Sequence, residues 1–169
     1  DPARELADHL FGAALYFLGS HEEAQPDLDM FAEKYPDSGN REAALYYQAS
    51  NYVILGQFKK AAGLIDRYLE EFPKSKFIDL ALFDRATCHF NLEEYDKSIA
   101  AIDRMKAERP DSVVLDRALN MAGDAYDSQA GLETEDQGKK LELTGKAWEY
   151  FSTAIEAGKK LQHKPTVAE

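Results

Sequence analysis

The chain has 169 residues, with 20 Lys and Arg against 31 Asp and Glu, a formal net charge of -11 and one cysteine. That length suits one compact domain or one short repeat array, and the acid excess argues against nucleic-acid binding, which needs surplus basic side chains to neutralise phosphates. Cys88 alone closes no disulfide, and the longest apolar run, Leu10 to Leu18, is about half a bilayer span.

The chain opens Asp1-Pro2 with no initiator Met, no basic stretch and no targeting segment, as expected of a mature or excised piece of a longer protein. Apolar spacing predicts a first pair of helices near 3–18 and 21–35, closed by Tyr35-Pro36-Asp37-Ser38. A second pair, near 39–55 and 58–72, shows the pattern most fully. Leu45, Tyr52 and Leu55 precede Gly56, and Ala61, Leu64, Ile65, Tyr68, Leu69 and Phe72 follow it, before Phe72-Pro73-Lys74-Ser75. A third pair, near 76–92 and 95–108, ends at Arg109-Pro110-Asp111-Ser112. The fourth starts near 113–130, and Thr134-Glu135-Asp136-Gln137 has the form of a capping box opening a last helix to about Leu161.

The prolines are 37 residues apart each time, and Leu18-Gly19, Leu55-Gly56 and Leu92-Glu93 keep the same interval. So do the small residues Gly12, Ala49, Ala86 and Gly123. Several independent columns on one period of this length mean stacked supersecondary units. The Leu-Gly step supplies the tight turn inside each pair. The proline stops the second helix, and Ser38, Ser75 or Ser112 is placed to cap the next. The last repeat is out of register by 12 residues, since Ala147 stands where the period puts residue 135; the insertion lies between Asp127 and Lys146. No proline falls at Lys159, and Pro165 comes later, so the array ends here or changes register.

No catalytic constellation survives inspection. His21-Glu22-Glu23-Ala24-Gln25 lacks the second histidine a zinc helix needs, and Cys88-His89 is adjacent rather than at ligand spacing, so no metal is expected. The single glycines form no phosphate loop, so no cofactor is expected either. The Glu22-Glu23, Glu70-Glu71 and Glu93-Glu94 pairs lie at helix ends as solvated faces.

Taken together, the small residues at Gly12, Ala49, Ala86 and Gly123, the aromatics at Tyr52 and Tyr126, the small residue opening each second helix at Ala24, Ala61, Ser98 and Ala147, and the closing proline resemble the tetratricopeptide repeat. The resemblance covers roughly residues 5–158. It implies an all-α fold, a right-handed superhelical array of about four antiparallel helix pairs, as one domain over 1–169 with repeats at about 5–38, 39–75, 76–112 and 113–161. The period exceeds that family's usual one by three residues, which are expected to lengthen each first helix. The aromatic-Pro-x-Ser ending resembles the variant found in bacterial cell-envelope proteins, such as outer-membrane assembly lipoproteins and the Tol-Pal coordinator. A periplasmic or outer-membrane-associated location follows from that resemblance, with a cytoplasmic one still open.

The family's concave groove, carried over to this chain, has rows at His9, Tyr46, Phe83 and Asn120, at Ala13, Ser50, Thr87 and Asp124, and at Tyr16, Val53, Phe90 and Asp127. The lysine and asparagine of the family's carboxylate clamp are absent from the first rows. The expected function is non-catalytic binding of a protein or peptide segment, apolar with basic residues, through Tyr16, Tyr46, Ser50, Val53, Phe83, Thr87, Phe90, Asn120 and Asp124. Self-association through the apolar ends of the array is a further expectation. Glycan or small-ligand capture, and a structural role inside a larger multidomain protein, are the alternatives.

Overall fold

The computed structural model describes residues 1–162. These form eight α-helices and no strand: α1 (Pro2–Phe17), α2 (His21–Lys34), α3 (Arg41–Ile54), α4 (Phe58–Glu71), α5 (Ile78–Asn91), α6 (Tyr95–Glu108), α7 (Leu115–Leu132) and α8 (Gln137–Gln162). Pro165 lies outside the described residues. The chain divides into two compact units, Asp1–Cys88 and His89–Glu169. In the first, α1 packs on α2, α3 on α4, and α3 also on α1 and α2; in the second, α7 packs on α6 and α8.

Each of the first three helix pairs turns through one left-handed residue. Gly19 and Gly56 adopt φ of 81° and 71°, where a side chain is disfavoured, and Glu93 takes the same role at 60°. The residues that let the helices approach are small and sealed: Ala24, Ala61, Ser98 and Ala86 are fully buried and Ala49 nearly so.

Two local expectations need correction. The three extra residues per period do not lengthen the first helices, since α3 and α5 have 14 residues, as do α4 and α6. They build the connection after each proline instead. Nor do the serines cap the following helix directly. Ser38, Ser75 and Ser112 sit two residues earlier and accept from the backbone N–H of Asn40, Phe77 and Val114 at 3.0, 2.9 and 3.3 Å. In each repeat the serine N–H also donates to the carbonyl of Tyr35, Phe72 or Arg109, which holds the connection as a short turn.

Ser75 does more than its counterparts. Its hydroxyl joins the buried Tyr68 hydroxyl at 2.5 Å and donates to Glu42 at 2.6 Å, tying α4, α3 and the turn together. Ser75→Ala is expected to cost about 2 kcal/mol, because it strands buried polar groups, whereas Ser38→Ala costs about 0.5 kcal/mol, at the low end for a single such bond. Urea unfolding of the two variants checks the contrast.

The fourth pair absorbs its insertion by growing. α7 has 18 residues and α8 has 26, and the connection between them is Glu133 to Asp136. The helix opens at Gln137 rather than at Thr134. Asp136, not Thr134, accepts from the Lys139 N–H at 2.9 Å, while Glu133 holds the N–H groups of Glu135 and Asp136 at 3.2 Å.

Candidate functional site

The first helix of the second pair is stitched to the second helix of the first pair by buried polar groups. Asn51, fully buried on α3, donates to the His21 carbonyl at 2.8 Å and to Gln25 at 2.9 Å on α2, and meets the His21 ring at 2.7 Å. Gln48 donates to Asp29 at 2.7 Å, and the Tyr52 hydroxyl donates to the same carboxylate. This fixes the rotation of α3 and with it the opposite face, where three of the predicted site residues meet.

On that face the Tyr16 hydroxyl of α1 lies 3.1 Å from Ser50 Oγ of α3. The Tyr16 ring stacks on Tyr47 at 5.3 Å between centroids, and Tyr46 stacks on Phe77 at 4.8 Å with the planes 8° apart. Phe17 meets Tyr47 edge-on at 5.2 Å. From α5, Asp84 turns its carboxyl toward Ser50 and Tyr46. As a residue Asp84 keeps some exposure, but its Oδ2 is sealed from solvent and makes no hydrogen bond.

The electrostatics follow from that enclosure. Burial pushes the Asp84 carboxyl up to about 6, partly offset by the Ser50 and Tyr46 hydroxyls. Burial raises the Tyr16 and Tyr46 phenols as well, and the Asp84 charge adds to the effect. Cys88, one turn further along α5, is fully buried, and burial followed by Asp84 and Asp66 pushes its thiol up to about 12, so it stays protonated and unreactive.

The predicted groove residues divide by environment. Tyr46 and Ser50 are buried, at 7 % and 5 % exposure, so they are not the open anchors expected; the rings of Tyr47, Tyr68 and Phe77 crowd Tyr46. Tyr16, Val53, Phe83 and Thr87 are half-buried, and Thr87 donates to the Phe83 carbonyl at 2.9 Å. In the second unit Phe90 is half-buried and edge-on to Tyr95 at 5.6 Å, while Asn120 and Asp124 are exposed on α7. Partial burial, then Asp127, raises the Asp124 carboxyl.

Sequence reasoning missed Asp84 and Tyr47. A signal was present: Asp84 falls in the column of Leu10, Tyr47 and Met121, and a lone carboxylate among apolar counterparts marks a departure from the repeat. Among the described residues no group of three or more His, Cys, Asp or Glu is placed to hold a metal ion. None of their helices is long and apolar enough to cross a membrane.

Residues 10–38 and 43–75 match the family description "Tetratricopeptide repeat". No curated protein sequence matches the chain. Among solved structures, a crystal structure of MamA is similar over 97 % of this chain and 84 % of its own, at 19 % identity and a TM-score of 0.74. MamA from residue 41 to its end, from Desulfovibrio magneticus RS-1, is similar at 20 % identity, 94 % and 93 % coverage and a TM-score of 0.63. A kinesin light chain from Podosopora anserina, with nearly identical TPR-like repeats, is similar at 13 % identity, 99 % coverage of both chains and a TM-score of 0.58. Two helix pairs of this chain therefore match the tetratricopeptide repeat in sequence, and the chain has the fold of helical-repeat proteins of that type.

Proposed function

We propose that the chain is a non-catalytic scaffold that takes a partner segment on the face formed by α1, α3 and α5. The observation that carries this is the Asp84 carboxyl. A buried oxygen without a hydrogen bond costs free energy in the fold alone, and the residue that carries it keeps some exposure next to half-buried Tyr16. Groups held at such a cost concentrate where binding uses them. The partner is a peptide segment with apolar side chains for the aromatic shelf and a donor, such as a lysine or arginine, for the carboxylate.

The 37-residue period and the aromatic-Pro-x-Ser endings are the support for a bacterial cell-envelope setting, periplasmic or at the outer membrane. Fractionation of cells expressing the full parent protein tests that setting; recovery in the cytosol removes it.

Affinity capture from an envelope extract tests the binding reading, with wild-type, Phe83→Ala/Phe90→Ala and Asp84→Asn baits of equal helicity compared by mass spectrometry. The expected result is a protein retained by the wild type and lost, by tenfold or more, from both variants. Equal recovery on all three baits overturns the face assigned here.

A further inference from the structure

A cleft of about 300 Å³ opens in the first unit between α2 and α4, with α3 as its floor, a volume at the low end for small-ligand sites. Leu45 and Leu64 line it. Leu45 is half-buried, whereas its counterparts one and two periods on, Leu82 and Leu119, are fully buried, so the apolar floor of this cleft is reachable. A cleft of the same size lies over Leu115 and Leu119 in the second unit. What sets the first one apart is its charge.

Arg41, at one end of the cleft, stands in the column of Ile78 and Leu115, and it alters a pairing of the repeat. On α6, Arg104 donates to Glu108 one turn on at 2.8 Å. The corresponding residues of α4 are Arg67 and Glu71, but Arg41 takes Glu71 through two N–H groups, at 2.8 and 3.3 Å. Arg67 is left lining the cleft from α4 with no hydrogen bond or ion pair to any described residue. In the second unit Thr153 stands in its place.

The other end is stopped by Asp29, which is already satisfied. It accepts from Gln25 and Gln48 at 2.9 and 2.7 Å and from the Tyr52 hydroxyl. Glu33 lines the α2 wall and, like Arg67, makes no hydrogen bond or ion pair to a described residue. The cleft is therefore a short trough with a free guanidinium on one wall, a free carboxylate on the other, and leucine side chains in it.

We propose that this cleft is a small-ligand site for an aliphatic α-amino acid, with the carboxylate on Arg67, the ammonium on Glu33 and the side chain on Leu45 and Leu64. The planar fork of an unpaired arginine takes both oxygens of a carboxylate. Two free charges of opposite sign match a zwitterion, and in a chain of net charge -11 a ligand without net charge meets no repulsion. A trough stopped at both ends by satisfied polar groups suits one residue rather than a chain running through. The site shares no residue with the face of Tyr16, Ser50 and Asp84, so it is independent of the partner reading.

Methyl NMR of the full 169-residue chain, titrated with L-leucine, tests it. The expected result is a saturable shift of the Leu45 and Leu64 methyl signals at about millimolar ligand. Arg67→Gln, at an exposed position without internal bonds, should keep wild-type helicity by circular dichroism and weaken binding by about tenfold. Arg41→Leu should weaken it similarly, by returning Glu71 to Arg67. Leucinamide, which lacks the carboxylate, and isocaproate, which lacks the ammonium, should each bind about tenfold more weakly than leucine. Methyl signals that do not move with L-leucine overturn the proposal, as does unchanged binding in Arg67→Gln. Isocaproate binding as tightly as leucine overturns the amino-acid assignment in favour of a simple carboxylate site.

Discussion

Gly123→Val is expected to destabilise the second unit by about 2–3 kcal/mol, the cost of overpacking a tight helix contact. A Cβ at this position would lie 2.4 Å from Cε1 and 2.6 Å from Cδ1 of Phe151, so the edge of a ring on α8 occupies the space that any side chain on α7 needs. Phe151 cannot simply swing aside, because Ala147 and Ala154, one turn on either side of it, are buried and fix the face of α8 turned inward. Gly131 lies on the same helix with nothing within 4 Å of its would-be Cβ. Gly131→Ala should therefore be neutral or stabilising by up to about 1 kcal/mol through helix propensity. Thermal and urea unfolding of both variants checks the difference. Gly123→Ala combined with Phe151→Ala should recover part of what Gly123→Ala alone loses, since the two side chains compete for one volume.

Asp84→Asn is expected to stabilise the first unit at pH 7, by up to about 3 kcal/mol, and to have little effect below pH 4. The sign follows from the direction of the shift. Burial raises the folded-state carboxyl from 3.8 to about 6, so the folded chain holds this proton when the unfolded chain has released it. Below pH 4 both states are protonated and no penalty exists. Between pH 4 and 6 the penalty grows as the unfolded state ionises first, and above 6 it is constant. Other carboxylates titrate in the same window but are common to wild type and variant, so they cancel in the difference. Urea midpoints for the pair at pH 4 and pH 7 make the measurement, and a stability difference independent of pH would show that Asp84 carries no buried charge. The same variant is expected to weaken partner capture, which sets stability against binding at one residue.

Most of the fold was legible because its signals are local and repeat. The prolines at 36, 73 and 110 and the Leu-Gly steps mark helix ends wherever they occur, so the observed bounds fall within about three residues of those predicted. What the serines and the extra residues do was less legible. Ser75 could cap a helix or close a turn; it closes the same turn as Ser38 and Ser112, and its added bonds to Tyr68 and Glu42 come from other helices, which no local pattern shows. In the same way, Tyr46 and Ser50 occupy groove columns but are buried, because the neighbours Tyr47, Phe77 and Asp84 are supplied by departures from the repeat.

By itself the sequence determined the helix pairs, their period and the positions where backbones come close, because those follow from apolar spacing, chain-breaking residues and the absence of side-chain bulk. Only the tertiary structure decided which columns are covered and which stay open, from the sealed carboxyl of Asp84 to the half-buried cleft floor at Leu45. Burial is a property of what lies opposite a residue, and in a repeat the residue opposite belongs to the next unit rather than to its own.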